Sequence, residues 1–181
     1  YDLLSCFQKS IRGSDPDAAL HYLARLLKGG DLKSIGRRLL VIASDDIGLA
    51  YPSAISIVKA CVDAALQVGL PEAQTNLSQA VILLATSPQS NSAAQGIGEA
   101  MADLERRNLG ELPAHLRDAH YGGAAELGHG LSYKYPHDYP NHYVKQQYMP
   151  DALEGTVYYH PGENKNERAI RQYMQDLKKE E

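Results

Sequence analysis

All-α is the fold class this 181-residue sequence predicts. Apolar residues recur at helical spacing through roughly the first 110 residues. Successive segments start at or beside proline and stop at glycine, the asymmetry of helix starts and ends. The alternating apolar and polar pattern of a strand is absent from this half.

The first helix is expected over Tyr1 to Ile11, with Leu3, Leu4 and Phe7 on one face and Asp2 as its cap. A second carries Leu20, Leu23, Ala24 and Leu27 inward and stops at Gly29-Gly30. Pro16 suits its first position, which makes Asp15 the N-cap; Ser14 is a rival, because Ser14-x-x-Asp17 resembles a capping box. A residue before proline avoids the α region, and this favours Asp15. Asp31 caps a third helix with the stripe Leu32, Ile35, Leu39, Ile42, ended by Gly48.

Pro52 opens a fourth, with Ile55, Val58, Val62 and Leu66 inward and Gly69 closing. Pro71 opens a fifth, whose centre, Ala80 to Ala85, is apolar all round and so is expected to be buried on every side. Pro88 opens a sixth, with Ala93, Ile97, Met101 and Leu104 inward. After Gly110 the composition changes. Pro113 to Arg117 predicts one short helix. Seven of the twelve tyrosines lie between residues 131 and 160, in a Gly- and Pro-rich stretch expected to wrap over the helices. From Glu163 a last helix returns, with Ile170, Tyr173, Met174 and Leu177 on one face. The expected division is a helical core over 1–110 and an irregular wrap plus C-terminal helix over 111–181, packed on the same domain.

A net charge of -4 and 22% charged residues suit a globular domain and argue against a surface built wholly for nucleic acid. Cys6 and Cys61 form no metal or disulfide framework and are expected as buried thiols, which fits a reducing compartment. No apolar run approaches the roughly 18 residues of a membrane span. No repeat of roughly 34 or 40 residues is evident. The chain opens on Tyr1 directly in a helical pattern, as a piece of a longer protein would.

Candidate chemistry is sparse. Gly13 stands alone where a phosphate loop needs GxxxxGK(S/T), and Asp15 and Asp17 would repel a phosphate at that helix start. "LLVIASDD", Leu39 to Asp46, mimics the magnesium-binding strand of a nucleotide hydrolase but has no phosphate loop to serve. Asp45 and Asp46 fall instead in the last turn of a helix, where acids oppose the dipole. Arg37, Arg38 or a partner chain is the simplest compensation, which gives these acids a structural or interface role. Arg12 has two open roles: capping the first helix, or pairing with an acid across a subunit boundary.

His137, Asp138 and His142, with His129 and His160 nearby, raise a metal hydrolase, but neither HExxH nor paired zinc spacing is present. No GxSxG elbow and no Cys-His signature appears. No catalytic, cofactor or metal residue is therefore assigned. Lys134, Lys145 and the neighbouring tyrosines suit stacking on single-stranded bases. Residues 111–162, however, hold three basic residues against six acids.

Five stretches in order, "KSIRGSDPDAALHYLARLL", "RRLLVIASDDIGLA", "HLRDAH", "YKYPHDYPNHYVKQQYMP" and "YYHPG", resemble the C-terminal region of the replication-associated recombination protein A (MgsA) family over essentially the whole chain. These are AAA+ ATPases related to clamp loaders. One departure is mild: "SDDIG" stands where Ser-Glu-Asp-Ile-Gly is the family's form, and the charge is kept. The resemblance implies an N-terminal AAA+ module that holds ATP and Mg2+ and carries the ATPase activity. None of that module's motifs falls in this sequence.

For this chain the resemblance implies a clamp-loader collar-like helical bundle that joins subunits as a homotetramer. The parent would act in recombination and repair at stalled forks in the bacterial cytoplasm, near the nucleoid. It would contact DNA and replication proteins such as a single-strand-binding protein, and no membrane. Arg12, Asp15, Arg37, Arg38, Asp45, Asp46, Tyr135, His137, Asp138 and Tyr139 are the interface or structural candidates. A stand-alone nucleic-acid-binding module is the alternative function.

Overall fold

A computed structural model describes residues 1–118 and 132–179. Among the described residues the regular structure is helical throughout: α1 Asp2–Arg12, α2 Pro16–Lys28, α3 Leu32–Ile42, α4 Ala54–Val68, α5 Ala73–Ala85, α6 Ser92–Arg106 and α7 Lys165–Lys178. Short 3-10 turns punctuate the stretches between α3 and α4 and between α6 and α7. The fold class expected from the periodicity is therefore observed. The chain divides into two compact units, Tyr1–Gln95 with Pro161–Ala169, and Gly96–His160 with Ile170–Glu181.

The first unit is built around α5, which packs against α4, α2 and α1, while α3 packs against α4. Its core is a continuous apolar cluster that includes Phe7, Leu23, Leu39, Val58, Leu77 and Leu84. Leu77, Ala80, Val81 and Leu84 are buried, but Ile82 is 41% exposed, so one side of α5 does face out. Gly36 makes the α3–α4 contact close, because a Cβ there would stand 2.7 Å from Val62 Cγ1.

Two caps are as expected. The Ala18 amide donates to Asp15 Oδ1 at 2.9 Å, and the Ser34 amide donates to Asp31 Oδ1 at 3.1 Å. Ser14 loses its rivalry: its φ is +59°, and its hydroxyl accepts from Gln89 Nε2 instead. Asp2 is not a cap but lies inside the first turn, with Tyr1 at the cap position. α4, α5 and α6 begin at Ala54, Ala73 and Ser92, beyond Pro52, Pro71 and Pro88; Pro52 and Pro71 sit in the entering turn, and Pro88 in the irregular stretch before α6.

Other expectations are corrected. Cys61 is buried, and burial pushes its thiol pKa up, but Cys6 is exposed. Ala24 turns out of the α2 stripe. On α4, Val58 and Val62 point in, while Ile55 and Leu66 sit at the surface at 36% and 46% exposure.

In the second unit the α6 stripe faces outward: Ala93, which precedes the unit, is exposed, and Ile97, Met101 and Leu104 are 62%, 56% and 57% exposed. Periodicity correctly reported one apolar face, but no described element covers it. The α7 stripe behaves alike, with Tyr173 and Met174 exposed. Met101 and Leu104 are tied to a helix that Tyr158 also grips, through its hydroxyl donating to Asp103 Oδ2 at 2.6 Å.

Two outcomes follow from the caps. Asp15→Ala is expected to lower unfolding free energy by about 1 kcal/mol in urea titration. The Ser34 hydroxyl and amide hold the Asp31 carboxyl below its ordinary pKa. That stabilisation is present above the ordinary carboxylate pKa and is lost as pH falls through the lowered one. Asp31→Asn, which keeps a capping oxygen, is expected to flatten this part of the acid-side stability profile.

Candidate interaction site

The corner "IRGSDP" and the run "ASDDIG" meet in the first unit. After α3 the chain opens into a wider π turn over Ala43–Ile47, a form that tends to occur at functional sites. The extra residue rotates Asp46 inward, where it is 8% exposed, and leaves Asp45 exposed. Gly48 ends the turn at φ +48°, and a Cβ there would stand 3.0 Å from the Ser90 carbonyl oxygen. The Asp46 carbonyl accepts from the Ser90 amide at 2.9 Å.

Arg12 Nε donates to Asp46 Oδ1 at 2.8 Å. Arg12 therefore pairs with an acid of its own chain, the one that opposes the α3 dipole. Arg37 and Arg38 were the expected compensators and do not serve. Arg38 Nη1 donates to Gln8 Oε1 at 2.7 Å, and Arg37 lines a separate groove between α3 and α4. Gln89 Nε2 donates to the Arg12 carbonyl at 2.8 Å, which ties the segment before α6 to the same corner. A cleft of about 570 Å3 lies here, lined by Arg12, Asp45, Asp46, Gln89, Ser90 and Asn91. Asp46 Oδ2 is buried and accepts no hydrogen bond.

Sequence reasoning missed a second buried acid. Glu167, on the first turn of α7, is fully buried, and its Oε2 accepts from the Ser92 hydroxyl at 2.8 Å. Its Oε1 accepts from Asn164 Nδ2 at 2.7 Å, and its amide donates to Asn164 Oδ1 at 2.8 Å. The signal was available: Asn164-x-x-Glu167 has the spacing of a capping box. Asn166 Nδ2 donates to the Leu49 carbonyl at 2.7 Å, a further tie of this helix start within the first unit.

The tyrosine-rich candidates lie in the second unit. Tyr135 and Tyr139 are exposed, and the Tyr135 ring packs on His137 with centroids 5.1 Å apart. The Asp138 amide donates to the Tyr135 carbonyl in a 3-10 turn. His137 Nδ1 and His142 Nδ1 are 2.9 Å apart, so one ring donates and the other accepts. Asn141 and His142 both hold positive φ, +59° and +55°, which folds His142 back onto His137. Asp138 does not complete this pair into a metal centre: among the described residues no group of three or more His, Cys, Asp or Glu side chains could hold an ion. His129 lies outside the described residues. Lys134 closes a backbone pair with the Gln146 side chain at 3.1 and 2.8 Å.

The family profile described as MgsA AAA+ ATPase C terminal matches residues 13–178. The chain belongs to this family. It is 56% identical over 180 residues to replication-associated recombination protein A of Bacillus subtilis (strain 168), covering 99% of this chain and 43% of that protein. To the protein of the same name from Escherichia coli K12 it is 40% identical over 163 residues, 89% of this chain and 36% of that protein. To the one from Haemophilus influenzae it is 39% identical over 183 residues, 100% of this chain and 41% of that protein. The chain thus spans less than half the length of these relatives. Both motifs at the Arg12–Asp46 corner fall within or beside the matched range, and the all-α fold is that of the C-terminal part of this ATPase family. No described helix is long and apolar enough to cross a membrane.

Arg12→Ala would strand the Asp46 carboxylate in a site where it is 9% exposed. The expected cost is about 1–3 kcal/mol in urea unfolding. Arg37→Ala, as the control, is expected to stay within about 0.5 kcal/mol of the unmodified chain.

Proposed function

We propose that this chain is the self-assembly module of an AAA+ ATPase acting in replication-associated recombination. The observation that carries the reading is the outward apolar face of α6, where Ile97, Met101 and Leu104 are each more than half exposed. Monomeric proteins rarely leave a contiguous apolar face uncovered. Covering these side chains would contribute roughly 1–2 kcal/mol each, enough to hold copies together when several act jointly. The family's name and the names of its relatives supply the setting of an AAA+ ATPase in replication-associated recombination. Within the proposal, ATP and Mg2+ belong to the AAA+ module, DNA is met by the full-length protein, and four copies assemble. Replication partners such as a single-strand-binding protein, and a place near the nucleoid, belong to the same reading.

A second reading rests on a separate observation. Tyr133, Tyr135, Tyr139 and Tyr148 are all exposed in one segment of the second unit, a set of rings that single-stranded bases can stack on. Across residues 111–162 six acids outnumber three bases, so this contact would add to assembly rather than replace it.

Light scattering coupled to gel filtration tests the first reading. The 181-residue chain at tens of micromolar is expected to run as a multimer of discrete mass, and a strict monomer contradicts the reading. Fluorescence titration with a single-stranded oligonucleotide at low salt tests the second. Quenched tyrosine emission that recovers with added salt supports it, and an unchanged spectrum removes it.

A further inference from the structure

The first unit carries an apolar groove that its own helices leave open. α3 and α4 form its walls; Leu40, Val41, Ile55 and Leu66 line it, and its volume is about 690 Å3. Lys33, Arg37 and Lys59 stand on its rim, with Asp63 as the acid that Lys59 meets at 3.0 Å. The rim is therefore net positive on a chain whose net charge is -4.

α6 has the opposite character. Its apolar stripe is Ile97, Met101 and Leu104, and between Ser92 and Arg106 it carries Glu99, Asp103 and Glu105 against a single basic residue. Glu105 follows Met101 by four positions and so lies beside it at the edge of the stripe. The stripe is about 10 Å long and the α4 wall from Ile55 to Leu66 about 16 Å, at 1.5 Å rise per residue. An amphipathic helix laid in a groove is read by such anchors one turn apart.

We propose that the α3–α4 groove receives the α6 stripe of a second copy of this chain, so that the contact joins two different surfaces head to tail. The inference rests on the self-assembly reading above and goes beyond it by naming both faces. Apolar side chains meet in the groove, and Glu105, beside Met101 at the edge of the stripe, faces the basic rim; Asp103 is held by Tyr158 within its own unit. A contact of this heterologous kind leaves each copy with one occupied and one open face until the assembly closes on itself. It differs from an isologous contact, in which α6 meets α6 and the groove takes no part.

Mixing two variants tests it. The groove variant is Arg37→Glu with Leu66→Glu; the stripe variant is Ile97→Asp with Met101→Asp. All four positions are at the surface, so both are expected to keep the far-UV circular dichroism of the unmodified chain. If the groove variant does not, Lys33→Glu with Lys59→Glu, on the rim alone, replaces it. By light scattering each variant alone is expected to fall to the mass of one chain. A 1:1 mixture is expected to recover a dimer and nothing larger, because the intact α6 of one enters the intact groove of the other and the chain then ends.

An assembled unmodified chain with a groove variant that stays assembled overturns the inference while leaving self-assembly standing. So does a mixture that stays monomeric. A monomeric unmodified chain overturns both, and an acidic amphipathic peptide that saturates the groove of that monomer would mark a foreign partner as the occupant.

Discussion

A buried carboxylate needs a counter-charge, and much of the first unit is arranged around giving Asp46 one. The acid sits where the α3 dipole is negative, inside a π turn that aims it inward. Arg12, at the end of α1, is the group that answers it. That single pair fixes the α1–α2 corner against the end of α3. Gln89 then reaches the Arg12 carbonyl and Ser90 donates to the Asp46 carbonyl, so the segment entering α6 is held to the same point. Three separated stretches of chain are registered by polar contacts that apolar packing alone would leave free to slide. Glu167 does the same for the start of α7, with Ser92 and Asn164 as its hosts.

Local chemistry was legible in the sequence, and tertiary partnership was not. Asp15 and Asp31 were readable as caps because the bond closes within three residues and depends on the neighbouring proline or serine alone. The stripe of α3 was readable because a helical face repeats within its own segment, whereas α5, apolar all round and expected to be buried on every side, leaves Ile82 at the surface. Arg12 and Asp46 are 34 residues apart, and nothing local distinguishes Arg12 from Arg37 or Arg38 as the partner. The π turn that decides the matter adds a residue to a turn that periodicity treats as regular.

α6 marks the sharper boundary. Periodicity states that a helix has an apolar face and is silent on what covers it. Ile97, Met101 and Leu104 have the spacing of core residues and the exposure of surface ones. The conflict between pattern and exposure is itself informative, because a sequence that maintains an apolar stripe at a water-facing position is under a constraint from outside the unit. Ile55 and Leu66, on the wall of the α3–α4 groove, present the same conflict in milder form. In the proposed self-assembly these two apolar faces are what one copy offers to another.

Oxidative footprinting of Met101 across a concentration series tests that account most directly, since the residue is 56% exposed in the single chain. Its oxidation rate is predicted to fall as the protein is concentrated into the range where assembly occurs, and to recover on dilution. An oxidation rate that is fast and independent of concentration would contradict the claim that another copy covers α6.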